Sequence, residues 1–247
     1  MMLSLSSHIA LVTGSSRGIG RAIALALGRA GAKILFHGAT DSAALRDALA
    51  AAQSEGIEAE AHVADLGDAT SCDRLAAECA AADILVLNAS VQSYGHVADF
   101  GNEEFDRMVN TNLRSSFRLV RAFGPSMAAK GWGRIISVGS VNAGHPAPRL
   151  AIYAAMKAAQ KNMMLTAAKE WAANGVTANT ISPGVIATDR NSKVLADASF
   201  ADPLRETIPA KRFGTAEDCA GIVLALCSDA CSYITGADIP VDGGMGL

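Results

Sequence analysis

Short apolar runs alternate with longer amphipathic segments along the whole 247-residue chain. The apolar runs have the length of strands and mostly lack the alternation of a sheet with one solvent face, which predicts strands covered on both faces. The predicted strands are Ile9–Val12, Lys33–His37, Ala59–Val63, Ile84–Leu87, Arg134–Val138, Thr177–Ile181 and Asp238–Val241. The helices predicted between them cover 18–30, 42–54, 69–82, 103–130, 152–174 and 216–228, and several end at a glycine.

The alternating order of these elements predicts an α/β fold. Short connections between alternating strands and helices favour a doubly wound, mostly seven-stranded parallel sheet with right-handed crossovers and helices on both faces. Neither a repeat nor a Pro/Ser-rich linker divides the sequence, so we expect a single domain over residues 1–247. The long irregular stretch at about 184–213 is predicted to be a lid over a substrate.

Composition and charge exclude several classes of protein. Hydrophobic residues make up 50% of the chain and aromatic residues 5%, which favours alanine-rich helices packed on a sheet. The formal net charge of -3 gives no basic face for nucleic acid. The stretch from Trp171 to Thr188 lacks Asp, Glu, Lys and Arg, but polar residues, glycine and proline interrupt it, so a membrane span is not expected.

Cysteine spacing and the first residues bear on the compartment. The five cysteines are odd in number and lack CxxC spacing, which fits reduced thiols in a cytoplasm better than disulfides or a zinc site. Residues 1–7 carry no basic side chain and lead directly into the first strand, so we expect no signal peptide. The sequence therefore predicts a cytoplasmic protein without a bound metal.

A glycine-rich loop follows the first predicted strand and opens the first helix. It reads Thr-Gly-Ser-Ser-Arg-Gly-Ile-Gly over residues 13–20, with the spacing G-x-x-x-G-x-G. Glycines allow a backbone to approach a pyrophosphate, which then meets the unpaired N–H groups at the helix start. A plain strand-to-helix turn that uses glycines for packing is the alternative, but the position of the loop favours a dinucleotide site of the Rossmann type.

The end of the second strand bears on the choice of cofactor. An acidic residue there would bind the ribose 2′-OH of NAD and repel the 2′-phosphate of NADP. The strand ends Phe36-His37-Gly38-Ala39-Thr40 without an acid, and Asp41 is expected to cap the next helix. Arg17 in the loop can pair with a 2′-phosphate. The sequence therefore favours NADP(H), with NAD(H) as the alternative.

Tyr153 and Lys157 lie four residues apart on one predicted helix and so share a face. A nearby ammonium lowers the pKa of a phenol, which suits a tyrosine that exchanges protons with a substrate. A solvent-exposed Tyr/Lys pair would give the same pattern, so its neighbours matter. Ser140 follows the fifth strand, at the edge of the sheet where the glycine loop also lies. Asn112 falls inside the predicted 103–130 helix, where it either faces solvent or takes part in the site.

Taken together, these motifs resemble the short-chain dehydrogenase/reductase family over almost the whole chain. Five motifs occur in the family's order, and they include a segment similar to the family's nicotinamide-contacting one at 183–188 and an acid after the third strand. The resemblance implies the catalytic set Asn112, Ser140, Tyr153 and Lys157. It implies cofactor contacts from Gly14, Ser16, Arg17, Gly18, Ile19, Gly20, Asp65, Leu66, Asn88, Ala89, Tyr153, Lys157, Pro183, Gly184, Ile186 and Thr188.

The activity implied by this resemblance is NAD(P)-dependent hydride transfer at a carbonyl or alcohol carbon. Tyr153 would donate the proton, Ser140 would bind the carbonyl oxygen, and Lys157 would lower the pKa of Tyr153 and hold the nicotinamide ribose. Asn112 would anchor a water in a proton relay behind Lys157. One turn departs from the family's Asn-Asn-Ala-Gly and reads Leu87-Asn88-Ala89-Ser90, which bears on the adjacent substrate loop.

The substrate stays open at the level of the sequence. Within the family the chain resembles the 3-oxoacyl-[acyl-carrier-protein] reductases, and this resemblance implies reduction of a 3-oxoacyl thioester, with a sugar acid or another small ketone as the alternative. Gly131 and Asn174 replace arginines that dock the carrier protein in some of those enzymes, although Lys130 and Arg134 lie nearby. Tyr94 and His145 are candidate specificity residues. A catalytically silent NADP(H)-binding sensor and a methyltransferase fit the motifs less well.

The resemblance also implies a homotetramer. Its subunits would pair through the predicted helices 103–130 and 152–174, with 239–247 near another interface. Alanine-rich faces on these helices permit close approach, although they equally suit packing on the sheet.

Overall fold

Seven parallel strands form one sheet at the centre of the structure, a computed structural model that describes residues 3–247 and the side chains of all of these except 193 and 194. The spatial order of the strands is β3-β2-β1-β4-β5-β6-β7, so the chain starts in the middle, runs to one edge and returns across β1 to the other. The strands are β1 Ile9–Val12, β2 Lys33–Gly38, β3 Ala59–Val63, β4 Ile84–Leu87, β5 Gly133–Val138, β6 Val176–Pro183 and β7 Asp238–Val241. The predicted single-domain, doubly wound α/β fold is confirmed.

Nine α-helices lie among the described residues, and most cover the two faces of the sheet. They are α1 Gly18–Arg29, α2 Ala43–Ser54, α3 Ala69–Glu78, α4 Asn102–Met108, α5 Ser115–Lys130, α6 Ala151–Trp171, α7 Ser192–Leu195, α8 Ala198–Thr207 and α9 Ala216–Cys227. One core forms under α1, α2 and α9, and the other under α3, α5 and α6. The central strands β1, β4 and β5 are buried along almost their whole length, which explains the uninterrupted apolar sequences of β1 and β4.

The region predicted as one helix over 103–130 is interrupted. Between α4 and α5 the residues Val109–Arg114 form a π-helical segment. A π turn adds a residue to the helical repeat and turns the side chains after it to a new direction. This interruption places Asn112 inside the protein, at 1% exposure.

The start of α2 also differs from its prediction. Ser42, rather than Asp41, is the N-cap, because its hydroxyl accepts a hydrogen bond of 3.2 Å from the backbone N–H of Leu45. Asp41 instead forms a surface ion pair of 2.7 Å with Arg46. The prediction that Asp41 caps this helix is therefore wrong.

Three further features concern the cysteines, the length of the apolar helices and the clustering of metal-binding side chains. All five cysteines are free thiols, and burial raises the pKa of four of them: Cys72, Cys79, Cys219 and Cys227. From residue 3 onward, no helix is both long and apolar enough to cross a membrane. Among the same residues, no three His, Cys, Asp or Glu side chains gather in a way that would hold a metal ion.

Candidate functional site

A large cleft opens at the carboxyl ends of the strands, where ligands bind in open α/β sheets. Its volume is about 1740 Å³, which is ample for a dinucleotide together with a small substrate. Its walls come from the glycine loop after β1, the turn after β4, the residues that follow β5 and β6, and the start of α6. The topology therefore brings together segments that are far apart in the sequence.

The glycine loop has the backbone that its sequence predicts. Gly14 and Gly18 adopt positive φ angles of 64° and 57°, which strain a residue with a side chain. A Cβ at Gly20 would lie 2.4 Å from Asn88 Nδ2 and 2.5 Å from the Gly14 carbonyl oxygen. The spacing G-x-x-x-G-x-G therefore serves two needs in this chain, a left-handed turn and a close approach of the loop to the turn after β4.

Thr13 and Asn88 hold this loop against β4. The Thr13 hydroxyl donates to the carbonyl of Val86 at 3.0 Å and accepts the backbone N–H groups of Asn88 and Ala89 at 2.9 and 3.0 Å. The Asn88 amide donates to the carbonyls of Thr13 and Gly14 at 2.9 and 3.0 Å. Asn88 thus fixes the loop to the turn that follows β4.

The start of α1 meets the requirements of a phosphate site. Arg17 precedes the helix without capping it through its side chain, so the first N–H groups of α1 lack a partner from this cap. These N–H groups border the cleft together with Ser16 and Arg17. The loop therefore fits a dinucleotide pyrophosphate, and Arg17, Ala39 and Thr40 line the same end of the cleft, where a 2′-phosphate would lie.

Ser140, Tyr153 and Lys157 meet at the centre of the cleft. Tyr153 and Ser140 both line the cleft, and both are more than nine-tenths buried. The Ser140 hydroxyl accepts hydrogen bonds from the Asn142 backbone N–H at 3.2 Å and side-chain amide at 3.3 Å. Because these two donors occupy its oxygen, the Ser140 proton can be directed to Tyr153 or to a substrate oxygen.

The hydrogen bonds of Lys157 go to groups other than the phenol that it is expected to activate. Its ammonium donates to the Val138 carbonyl at 2.6 Å and to Gln160 Oε1 at 3.2 Å, and it lies 5.8 Å from the centre of the Tyr153 ring. Burial raises the pKa of Tyr153, and Arg190 opposes this rise through its charge. Burial also lowers the pKa of Lys157 to about 7, with a further contribution from Arg190. The effect of Lys157 on the pKa of Tyr153 therefore stays a prediction.

Asn112 lies behind the wall of the cleft. Its side chain accepts from the Val91 backbone N–H and donates to the Val91 carbonyl, both at 2.8 Å. Two hydrogen bonds to one residue fix the segment after β4 to the π-helical turn. Asn112 is thus brought into the site region as a residue that fixes the segment after β4, whereas the water relay expected of it stays a prediction.

Gln160 and Ser116 are not identified from the sequence. Their side chains continue the hydrogen-bond chain from Lys157 into the protein interior. Gln160 Nε2 donates to the Ser116 hydroxyl at 2.8 Å, and that hydroxyl donates to the carbonyl of Asn112 at 3.0 Å. The side chains of Gln160, Ser116 and Asn112 are all buried. The signal for Gln160 was present, since it lies three residues after Lys157 on the same helical face.

The segment after β6 closes the cleft from the other side. Thr188 packs against Gly18, as its methyl group lies 3.5 Å from where a Cβ on that glycine would be. Arg190 donates to the carbonyl of Ser90 at 2.8 Å and to its hydroxyl at 3.3 Å. Ser90 belongs to the turn that departs from the family, whereas Leu87 ends β4 and is buried in the core. Ser90, in place of the family's glycine, therefore gives the turn a side chain that Arg190 contacts.

The predicted site residues converge. Every predicted cofactor-contact residue lines the cleft, and so do Ser140, Tyr153 and Lys157; Asn112 is the one member of the set behind it. Tyr94 and His145 also line the cleft. Arg134 is corrected as a docking candidate, because it is 2% exposed and bonded to Asp229 at 3.1 Å. A buried, paired guanidinium cannot receive a carrier protein.

Comparison with known proteins gives consistent matches over nearly the full chain. Residues 14–246 match the family model described as enoyl-(acyl carrier protein) reductase. The chain is 34% identical to gluconate 5-dehydrogenase of Gluconobacter oxydans, over 99% of this chain and 96% of that protein. It is 39% identical to the 3-oxoacyl-[acyl-carrier-protein] reductase of Salmonella typhimurium, over 98% of this chain and 99% of that protein.

Solved structures give the same result. A 3-oxoacyl (acyl-carrier-protein) reductase from Agrobacterium tumefaciens with NADP bound superposes with a TM-score of 0.95 at 35% identity, covering 98% of this chain and 96% of that one. A gluconate 5-dehydrogenase from Burkholderia cenocepacia in complex with NADP and tartrate has a TM-score of 0.92 at 31% identity, covering 99% and 97%. The similar proteins thus share one architecture and differ in substrate.

Proposed function

This chain belongs to the short-chain dehydrogenase/reductase family, and we propose that its cleft transfers a hydride between NADP(H) and the carbon of a ketone or secondary alcohol. The observation that carries the proposal is the meeting of Ser140, Tyr153 and Lys157 with the glycine loop in one cleft. A catalytically silent sensor needs the loop but has no use for these three groups at its centre. A methyltransferase has no use for them either.

The residues that would hold the cofactor fall into three groups along the cleft. The start of α1 and Arg17 suit the pyrophosphate and the 2′-phosphate, and the absence of an acid at the end of β2 favours NADP(H) over NAD(H). Asp65 and Leu66 suit the adenine end, and Ile186 and Thr188 suit the nicotinamide end. The nicotinamide supplies or accepts the hydride when it is bound.

Tyr153 acts as the acid in the reducing direction. Because burial raises its pKa, the phenol stays protonated near neutral pH and can give its proton to the carbonyl oxygen as that oxygen gains charge. Ser140 donates a hydrogen bond to the same oxygen. The product is the alcohol, with one hydride on carbon and one proton on oxygen. In the oxidising direction Tyr153 receives the proton instead.

Lys157 holds a positive charge behind this reaction. With its pKa lowered to about 7, the ammonium depends on its hydrogen bonds to Val138 and Gln160 to remain charged. It would also hold the nicotinamide ribose. Asn112 keeps the segment at Val91 in place and thereby shapes the substrate side of the cleft.

Two substrate classes are supported by different residues. Leu195, Phe200 and Leu204 give the cleft an apolar wall that suits the acyl chain of a 3-oxoacyl thioester. Asn142, His145 and Arg190 give it polar and cationic groups that suit a sugar acid. We propose the 3-oxoacyl thioester first and the sugar acid second, with segment 184–213, which contains α7 and α8, as a lid over either.

We also propose a homotetramer in a reducing, cytoplasmic compartment. Phe117 on α5 and Leu165 on α6 are 50% and 37% exposed, which suits a contact between copies through these helices. The free cysteines are compatible with a reducing environment. Light scattering at several protein concentrations tests the tetramer, and a monomer at all of them would contradict it.

The direct test of the activity is a substrate screen that follows NADPH absorbance. It includes a 3-oxoacyl thioester, a keto sugar acid and a neutral ketone, and their alcohols with NADP⁺. The proposal expects oxidation of NADPH with at least one carbonyl compound. Binding of NADPH with no turnover in any reaction would favour the sensor.

A further inference from the structure

His37, the penultimate residue of β2, is a buried ring that lies directly beneath the glycine loop. It is 2% exposed, and it was predicted only as part of a strand. The role that we assign to it rests on the proposed function, because it concerns the loop that would hold the cofactor. Neither the proton transfer at Tyr153 nor the substrate wall uses this residue.

Four hydrogen bonds join His37 to its surroundings. The backbone N–H of Gly14 donates to Nδ1 of the ring at 3.0 Å, and Nε2 lies 2.9 Å from the carbonyl oxygen of Ala64. The backbone of His37 accepts from the Ser15 N–H at 3.0 Å and donates to the Ser15 hydroxyl at 2.9 Å. The hydrogen bonds of His37 therefore connect Gly14 and Ser15 of the loop to β2, and the ring also connects them to Ala64, which follows β3.

The partners of the ring fix its protonation state. A backbone N–H can only donate, so Nδ1 must accept and carries no proton. A carbonyl oxygen can only accept, so Nε2 must carry the proton. His37 is thus neutral in this geometry, and a second proton on Nδ1 would face the Gly14 N–H and break that bond.

We propose that His37 is the positioning residue of the cofactor loop, whose neutral ring holds Gly14 in its left-handed turn and whose protonation releases that turn. Gly14 has a φ of 64°, and a Cβ on it would lie 2.9 Å from Ala89 Cα, so it sits closely between the ring and the turn after β4. Losing the Nδ1 contact frees the residue that begins the loop, and the N–H groups at the start of α1 lose their fixed direction.

The charges around the ring set the pH range of this effect. Burial lowers the pKa of His37, the charge of His62 on β3 lowers it further, and the charge of Asp65 raises it. The helix over this face, α3, brings Cys72, a thiol whose pKa is raised to about 11 and which is therefore uncharged. The neutral ring persists at neutral pH, and the loop is released only on the acid side of the ordinary histidine range.

Two variants distinguish the role of His37 Nδ1 as a hydrogen-bond acceptor from the effect of its protonation. His37→Asn places Oδ1 where Nδ1 lies, so it keeps an acceptor for Gly14 but does not titrate. His37→Leu fills the same space without an acceptor. The dissociation constant of NADP⁺ is measured by titration calorimetry for the wild type and both variants between pH 5 and pH 8.

The proposal expects three results. At pH 7.5 His37→Leu binds NADP⁺ about tenfold more weakly, the effect of one lost hydrogen bond, while His37→Asn stays within about threefold of the wild type. As the pH falls, the wild type loses affinity for NADP⁺ relative to His37→Asn. Because both proteins are compared at the same pH, protonation of the 2′-phosphate of NADP⁺ affects both equally. In steady state, His37→Leu raises the KM for the cofactor more than it lowers kcat.

A measurement without cofactor makes the test independent of the proposed function. Hydrogen exchange of the peptide that contains residues 13–20 is compared between wild type and His37→Asn at equal pH, and the wild type should exchange faster only on the acid side. If NADP(H) does not bind the wild type at any pH, the proposed function fails while the exchange result still tests the loop.

Two results would contradict the role proposed for His37. Equal affinity of His37→Leu and wild type at pH 7.5 would show that the ring does not position the loop. An acid loss of affinity in His37→Asn as large as in the wild type would assign that loss to another group. Should His37→Leu fail to fold, the pH comparison of wild type with His37→Asn decides alone.

Discussion

Lys157 donates a hydrogen bond of 3.2 Å to the side-chain oxygen of Gln160, one turn along the same helix. This contact lies in a buried chain that continues through Ser116 to the carbonyl of Asn112, so the ammonium is connected to the π-helical segment by protein groups alone. An acceptor beside a buried ammonium stabilises its charged form. We therefore expect Gln160 to act on the reaction through Lys157.

Replacing Gln160 should move the pH dependence of turnover. We expect reduction to fall at high pH as Lys157 loses its proton. Gln160→Met removes an acceptor, so that fall should move to lower pH by about one unit, equivalent to about 1.4 kcal/mol. Gln160→Glu is the matched variant, and its negative charge should move the fall to higher pH. Profiles of kcat/KM that coincide for all three proteins would contradict this role.

Lys157 should also leave a signature in stability. Its pKa is lowered to about 7 in the folded chain from an ordinary value of 10.5, so the unfolded chain binds more protons between these values. Stability therefore rises with pH through this window, by at most about 1.4 kcal/mol per pH unit from this group. Urea unfolding at pH 7.5 and 9.5 measures the rise in the wild type, and Lys157→Met should lack that part of it. An equal rise in both proteins would contradict the lowered pKa.

A methyl group at Gly20 should disturb the cofactor loop. Its Cβ would lie 2.4 Å from Asn88 Nδ2, so either the loop or Asn88 must move. We expect Gly20→Ala to cost about 1–3 kcal/mol of stability and to weaken NADPH binding. Gly221→Ala is the control, because its Cβ has nothing within 4 Å and it lies in α9. The control should be neutral or up to about 1 kcal/mol more stable, and equal losses in both variants would contradict the packing argument.

The preference for NADP(H) should depend on Arg17. Arg17→Ala should weaken binding of NADPH about tenfold, the worth of one charge-assisted hydrogen bond at an exposed site, and leave NADH binding nearly unchanged. Arg29→Ala at the far end of α1 controls for loss of positive charge, since Arg29 pairs with Glu55. Fluorescence titration with both cofactors gives the ratio. An equal loss for both would mean that Arg17 does not contact the 2′-phosphate.

The sequence predicted the strands and most helices because buried parallel strands leave long apolar runs. It could not predict the break in the 103–130 helix, since one extra residue in a π turn does not disturb the apolar pattern enough to be seen. Asn112 was placed in the site through its match to the family's motif, and its two hydrogen bonds to Val91 could not be predicted from that match. Asp41 was a plausible cap, but Ser42 is one residue nearer to the helix.

The candidate site was predicted through its motifs, and the residues between the motifs were not. Tyr153 and Lys157 were assigned to one face, but the direction of the ammonium depends on Gln160 and on the carbonyl of Val138, which comes from another element. His37 gave no signal in the sequence, because a histidine at the end of a strand is equally common on a surface. Its role follows from contacts with a loop 23 positions earlier.

The most direct test of the central claim compares wild type and Tyr153→Phe in the reduction of a carbonyl substrate by NADPH. The substitution removes only the phenolic hydroxyl, which the account makes the proton donor. Turnover should fall by about 10²–10⁴-fold, the usual contribution of a positioned acid, while the dissociation constant of NADPH stays within about threefold. Turnover within tenfold of the wild type would contradict the claim.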